Sequence, residues 1–421
     1  MNNSKLKESN IKWLGKIPDN WKTIKFNALY DLRNEKVSDK DFPPLSVTKM
    51  GIVPQLSNAA KTNNGDNRKL VEIGDFAINS RSDRRGSCGI SKYEGSVSLI
   101  NTVLKPINRE MNPRYYGWLF KTVEFADEFY KWGHGIVDDL WTTNWQDMKN
   151  ITLVCPSKTE QNKIADFLDK KVSQIDDISK KIQQEITDLE EYRKSIITKA
   201  VTTGLNTNIQ MKDSNIDYIN KIPNTWHLTR LKYILTERNQ RSIDGKELLL
   251  SVSQKKGILP AYQVKRSIKA NSLVGYKIVK QNDLVFNKLN PALARFGVSN
   301  YNGITSPDFS VYYSNKINIQ FLSFLLKTSK YVTEYKRLCS GVGEGYTRLY
   351  TPTLYNIKVA LPTIKEQNKI VNILNKKDQK IKKLMEKQKR LLLTLTQYKQ
   401  SLIYEYVTGK KQVSSKESAK A

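Results

Sequence analysis

The chain has 421 residues, with 70 lysines and arginines against 41 aspartates and glutamates, a net charge of +29 and a pI near 9.7. That length accommodates two or more domains with real cores, and the charge points to a polyanionic partner, most simply nucleic acid. Three cysteines without a CxxC pair exclude a disulfide framework and point to a reducing compartment. The two histidines, His134 and His227, lie far apart and near no cysteine cluster, which argues against zinc. The amino terminus is polar and no run reaches membrane-spanning length, so the expected location is the cytoplasm.

In chain order, Ile11–Trp21 carries Ile17-Pro18…Trp21, read as an anchoring turn. Short β-branched and aromatic runs at Phe76–Asn79 and Ser96–Leu104 predict strands, and Pro113–Trp132 has helical spacing with its aromatics in the core. Asn112-Pro-Arg-Tyr115 resembles an amino-methyltransferase motif only superficially and is read as a helix-entry turn. Pro156-Ser-Lys-Thr-Glu160-Gln-Asn-Lys-Ile164 then opens a long helix with an S-x-x-E capping box. This helix ends near Gly204, a C-terminal cap. The polar segment Asn206–Asn215 is a connector.

From there the chain repeats itself. Ile216–Trp226 answers Ile11–Trp21, Gly257-Ile-Leu-Pro260 answers Gly51-Ile-Val-Pro54, and Gly297–Gly303 answers Gly89–Gly95. Strands are predicted at Leu284–Asn287 and Phe309–Tyr313, and a helix over Ile319–Leu338. Pro362-Thr-Ile-Lys-Glu366-Gln-Asn-Lys-Ile370 opens a second long helix with a T-x-x-E box, which stops near Gly409. The tail Lys410–Ala421 is Lys/Ser-rich and expected to be disordered. Repeat units this large mean a duplicated domain plus helix, not a solenoid.

Leu168, Ile175, Ile182, Leu189 and Ile196 recur every seven residues in the first long helix, with Ile178 and Tyr192 as the companion seam. Leu374, Ile381, Gln388, Leu395 and Leu402 do so in the second, with Leu384, Leu391 and Tyr398 beside them. Five heptads predict a coiled-coil seam between the two helices, each about 60 Å long. Because the connector delivers the chain directly into the second half, the pair is expected to be antiparallel, and such a stiff pair would set a fixed distance between half-sites on duplex DNA. The fold class is mixed α/β. The expected boundaries are a head at 1–156, a helix at 157–204, a head at 205–362, a helix at 363–409 and a tail at 410–421.

Residues Glu160–Val201 hold 8 basic and 9 acidic side chains and Glu366–Val407 hold 10 and 4, so most of the positive excess lies in the heads. No phosphate loop, GxGxxG, GxSxG or HExxH motif is present, so no catalytic residues are predicted. The candidate nucleic-acid contacts are Lys49, Arg81, Arg84, Arg85, Lys92 and Trp141 in the first half. In the second they are Gln254, Lys255, Lys256, Lys288, Asn290, Arg295, Tyr346 and Arg348. They mix phosphate-binding charge with side chains capable of bidentate base contacts. The halves keep their Gly, Ser, Val and Asn frame while these residues differ, as two different readers would.

The duplicated Pro-x-x-x-Glu-Gln-x-x-Ile helix start, the Ile-Pro-x-x-Trp opening of each half and the head–helix–head–helix order resemble the specificity subunit of type I restriction–modification enzymes. The resemblance implies two target-recognition domains on an antiparallel coiled coil, each reading one part of a bipartite duplex DNA site. It implies that the helices recruit two methyltransferase subunits and, through them, restriction–translocase subunits. S-adenosylmethionine, ATP and Mg would then belong to those partners, and this chain would hold no cofactor or metal. The first half departs from the pattern in one loop, Leu140-Trp141-Thr142 standing where the second has Arg348-Leu349. The rival readings are a stand-alone nuclease–methyltransferase and an RNA-binding coiled-coil protein.

Overall fold

The computed structural model describes residues 5–56, 65–135, 141–206, 208–254, 256–264, 272–341 and 347–414. The chain divides into two compact units, Met1–Gln183 with Lys389–Ala421, and Gln184–Gln388. Each unit is thus one head together with half of each long helix.

In the first unit a four-stranded antiparallel sheet runs in the order Cys88–Ile90, Phe76–Asn79, Asn101–Pro106, Tyr30–Leu32. The second unit repeats that order with Phe296–Val298, Leu284–Asn287, Phe309–Tyr313 and Thr236–Glu237. Beside each sheet sits a hairpin, Leu45–Thr48 with Gly51–Pro54 and Leu250–Ser253 with Gly257–Pro260. The single strand expected over Ser96–Leu104 is two, Gly95–Val97 and Asn101–Pro106. They belong to different sheets, and the Asn101 amide donates to Ser98 O at 3.0 Å to close the turn between them.

The repeated glycines have a packing cause. A Cβ on Gly95 would lie 2.4 Å from Pro43 O, and one on Gly303 would lie 2.2 Å from Leu248 O. The segment leading into each hairpin bridges alongside the glycine in parallel, too close for any side chain.

The helices expected over Pro113–Trp132 and Ile319–Leu338 are each broken in two, into Pro113–Phe120 and Val123–Lys131, and Ile319–Leu326 and Ser329–Leu338. Threonine causes the break in the first unit. The Thr122 hydroxyl accepts from Phe125 N at 3.2 Å, so a new helix starts where apolar periodicity alone shows no interruption. The aromatics are core, as expected: Phe120 lies 4.4 Å from Phe76 and 4.7 Å from Phe125 between ring centroids. In the second unit Phe286 stacks on Phe296 at 4.7 Å.

The two signature motifs meet. Glu160, Gln161 and Asn162 open the first long helix, Lys158–Thr203. Glu160 closes a capping box with Ser157 and accepts the Trp21 indole N–H at 3.2 Å. Gln161 accepts Asn112 N at 2.7 Å, and Asn162 accepts the Asn112 side-chain amide at 2.7 Å. Asn112 in turn caps the next helix by accepting from Arg114 N at 2.8 Å, the helix-entry role expected of it. The second long helix, Ile364–Val407, repeats this with Glu366 to Trp226 at 3.4 Å, Gln367 to Asn318 N at 2.9 Å and Asn368 to the Asn318 side chain at 2.8 Å. Each Glu-Gln-Asn triplet therefore bolts a head to a helix start.

Within each unit the two helix halves run antiparallel. Phe167 packs on Tyr406 at 4.5 Å and Asp176 pairs with Lys399 at 2.6 Å in the first. In the second, Arg193 pairs with Asp378, and Gln388 donates to Glu185 at 2.6 Å. The seven-residue series runs along the inward side, with Leu168, Ile175 and Ile182 buried and Leu189 and Ile196 half-buried, and with Leu374, Ile381 and Leu402 buried and Gln388 and Leu395 half-buried.

The companion seam is not the expected one. It lies four residues after each of these positions, at Val172, Ser179, Ile186, Arg193 and Ala200, and at Asp378, Met385, Leu392, Lys399 and Tyr406. Ile178, Tyr192, Leu384, Leu391 and Tyr398 face solvent, each at least 44 % exposed. Bulky apolar residues three positions on mark the opposite, solvent side, and the buried companion line contains Ser, Arg, Asp and Lys. Ile186→Ala should therefore cost about 2–5 kcal/mol in a urea titration while Ile178→Ala stays within about 0.5 kcal/mol; equal losses would restore the other register.

Gly204 and Gly409 end the two helices in the left-handed conformation, at φ +79° and +71°. The tail does not begin disordered. The Lys410 ammonium donates to Leu14 O at 2.7 Å and Lys411 pairs with Glu405 at 2.7 Å, while 415–421 lie outside the described residues. Among the described residues no helix is long and apolar enough to cross a membrane.

Candidate nucleic-acid interface

Two loops meet at the open end of each sheet. In the first unit the segment after strand Phe76–Asn79 forms a bridge between Arg81 and Thr142, and Thr142 also bridges His134. Asn79 turns the chain, its side-chain oxygen accepting from Arg81 N at 3.1 Å. Arg81 lies 3.1 Å and Arg84 3.5 Å from the two oxygens of Asp83, while Arg85 pairs with Asp127 at 2.6 Å. Arg85 and Lys131, with Asp83 and Asp127, rim an open pocket of about 690 Å³. Trp141 is committed to the loop: its indole N–H donates to Tyr130 O at 2.8 Å, and its ring covers Gly133.

In the second unit the equivalent bridge joins Leu289 to Arg348. Asn287 plays the part of Asn79, accepting from Leu289 N at 2.9 Å. Asn290 takes a left-handed turn at φ +46° and its side-chain oxygen accepts from Thr347 N at 3.0 Å, so it holds the loops together. Arg348 reaches Asp308 at 2.9 Å. Burial and the neighbouring Lys277 ammonium push the Lys288 amine down from its ordinary value, so an arriving phosphate would favour its charged form.

The departure at Trp141-Thr142 does not change the frame, because Thr142 and Arg348 occupy the same place in the bridge, while Leu140 lies outside the described residues. What changes is which strand supplies the arginine: Arg81 from the first loop, Arg348 from the second. Arg81 Nε faces Asp83 at 3.1 Å and an Arg348 terminal nitrogen faces Asp308 at 2.9 Å, and both side chains stay part-exposed, at 35 % and 26 %. Each arginine can therefore exchange a surface carboxylate for another acceptor.

The remaining predicted residues lie elsewhere in each head. Lys49 stands at the tip of the first hairpin next to Met50, which with Lys92 faces the first long helix. Gln254 is exposed at the second hairpin tip, and Lys256 faces the long helices. Arg295 is exposed beside the strand edge, its carbonyl accepting from Asn287 N at 3.1 Å. Lys255 and Tyr346 lie outside the described residues. The described candidates thus divide into a loop-bridge group (Arg81, Arg84, Arg85, Trp141, Lys288, Asn290, Arg348), a hairpin-tip group (Lys49, Gln254, Lys256), and Lys92 and Arg295 outside both. Among the described residues no cluster of three or more His, Cys, Asp or Glu could hold a metal.

Sequence reasoning missed Lys121, Lys327 and Lys382, which line the clefts between head and helices. Superposing the two halves of the sequence residue by residue would have drawn attention to them.

The family model for the type I restriction modification DNA specificity domain matches the chain twice, over residues 18–188 and 223–394. The specificity subunit of the type I restriction enzyme MjaVIII from Methanocaldococcus jannaschii is 24 % identical over 330 residues, 72 % of this chain and 74 % of the relative. A solved chain from a study of complex assembly and conformational transition in the type I R-M system covers 94 % of this chain and 100 % of its own at TM-score 0.69 and 11 % identity. The HsdS subunit from Thermoanaerobacter tengcongensis aligns over 96 % of this chain and 100 % of its own, at TM-score 0.55 and 13 % identity.

Proposed function

Because the chain belongs to the type I restriction modification DNA specificity family, we propose that it is the sequence-reading and scaffolding subunit of a type I restriction–modification complex. Each head reads one part of a bipartite duplex site through its loop bridge. The observation that carries this is the repeated bridge with a part-exposed arginine, Arg81 in one unit and Arg348 in the other, each held by a surface carboxylate. A guanidinium so placed can meet the acceptor edge of guanine or a phosphate.

The helices recruit methyltransferase subunits, two per chain in keeping with the duplication, and restriction–translocase subunits join through them. The solvent-facing Ile178, Tyr192, Leu384, Leu391 and Tyr398 support this docking role, since they add nothing to the seam. S-adenosylmethionine, ATP and Mg are carried by those partners, and the chain itself is non-catalytic. Cross-linking of S-adenosylmethionine to the isolated chain tests that last point, and labelling would refute it.

Binding to duplex DNA should be strongly salt-dependent. About eight phosphate contacts give a log–log slope near −7. A slope near zero, or stronger competition by RNA than by duplex DNA at matched salt, would end the DNA-reader assignment. Selection from a randomised duplex pool with the methyltransferase present should return a two-part consensus.

A further inference from the structure

The head–helix cleft of the second unit is a separate electrostatic feature. It encloses about 430 Å³, and Arg193, Lys256, Lys327 and Lys382 line it. Asp378 is the only acid among its lining residues, and that carboxylate is shared between Arg193 and Lys382, the latter at 2.7 Å. Lys327 has no carboxylate partner among the described residues; its ammonium lies 5.4 Å over the Phe296 ring. Burial, with the Arg193 and Lys382 cations nearby, pushes the Lys327 amine down to about 8.

The first unit shows the same place with its charges nearly balanced, four lining cations (Lys92, Arg114, Lys121 and Lys180) meeting three carboxylates. Lys121 occupies the position of Lys327, 206 residues earlier, and Lys399 that of Arg193. There Asp169, Asp176 and Asp177 line the cleft, and Asp176 pairs with Lys399 at 2.6 Å. In the second half those three acids are replaced by Asn375, Lys382 and Lys383. Duplicated positions have thus exchanged carboxylates for an amide and ammoniums, which leaves cations facing one another without enough counter-charge.

We infer that this second cleft is a phosphate-binding site, with Lys327, Arg193 and Lys382 as its charged donors and the Asn300 and Gln379 amides at its rim. Three converging cations suit a tetrahedral dianion, through charge-assisted hydrogen bonds. A backbone phosphate of bound DNA and a free phosphate or nucleotide present the same chemistry. An anion there would restore the Lys327 proton, so binding near pH 8 should take up protons.

The test is calorimetric titration of the full chain with inorganic phosphate at pH 8, with ionic strength held by chloride. One site is expected, with heat that varies between buffers of different ionisation enthalpy. Lys327→Met and Lys382→Asp, the latter restoring the first unit's acid, should each weaken it at least tenfold. Urea midpoints near that of the wild type would show that both variants fold. No phosphate heat above the chloride control, or unchanged affinity in both folded variants, overturns the site. Displacement of phosphate by duplex DNA, with a salt slope about one lower for Lys382→Asp, identifies the source as the DNA backbone. Retention of phosphate at saturating DNA identifies a free ligand. The phosphate arm does not depend on sequence reading, so it can succeed or fail separately from the function proposed above.

Discussion

Trp226→Ala should destabilise the second unit by about 3–5 kcal/mol, the loss expected when a large buried aromatic is truncated. The ring is 1 % exposed and packs edge-on to Phe321 at 6.2 Å. It also lies against Gly204, at the end of the first long helix, and its indole N–H reaches Glu366 at the start of the second. Removing it opens a cavity where the head, one helix end and one helix start converge, and none of the three can close it alone. Glu366→Gln keeps an acceptor oxygen in the same place and should cost no more than about 1 kcal/mol. Urea unfolding of both variants measures the difference. Similar midpoints would show that hydrogen bonding, and not the ring, holds the junction. Trp21→Ala should behave likewise in the first unit, where Trp21 touches Glu160 and the ring lies beside Gly409.

That junction was half legible in the sequence. Ile-Pro-x-x-Trp and Pro-x-x-x-Glu-Gln stood out because they recur, and each could be read alone as a turn and a capped helix. That the Trp of one donates to the Glu of the other is a tertiary fact, separated by about 140 residues of chain. The glycines of Gly89–Gly95 and Gly297–Gly303 were visible for the same reason, though only the structure shows the carbonyl that forbids a Cβ.

The coiled-coil seam shows where periodicity misleads. Leu and Ile marked one line correctly, but the second line runs through Ser179, Arg193, Asp378 and Lys399, which no apolar pattern flags. In the heads, the aromatic core was readable from spacing. The helix break at Thr122 was not, because a capping hydroxyl outweighs continuous hydrophobicity. Of the interface, the basic loops were legible and their bridge was not. Arg81 and Arg348 do not align in sequence, and only strand pairing places them at the same spot.

The sharpest functional consequence falls on that pair. Arg81→Ala and Arg348→Ala should each weaken binding to a cognate duplex by about 1–3 kcal/mol, roughly 5- to 150-fold. Because they belong to different units, with no shared partner, the double variant should lose close to the sum. Arg348→Lys separates charge from shape: it keeps a cation but not the planar fork, so a bidentate contact would stay lost and a phosphate contact would largely recover.

Asp308→Ala leaves the guanidinium in place while removing its present anchor. Its effect should be smaller than that of Arg348→Ala, since the arginine keeps its packing over the Tyr350 ring at 5.9 Å. Binding to a panel of single-base variants distinguishes the roles. If an arginine reads a base, its loss flattens discrimination at one position of one half-site and leaves the other half-site as selective as before. If it holds a phosphate, affinity falls evenly across the panel and the salt slope drops by about one. Wild-type affinity, selectivity and salt slope in the folded double variant would remove the loop bridge from the DNA interface and move the search to the hairpin tips at Lys49 and Lys256.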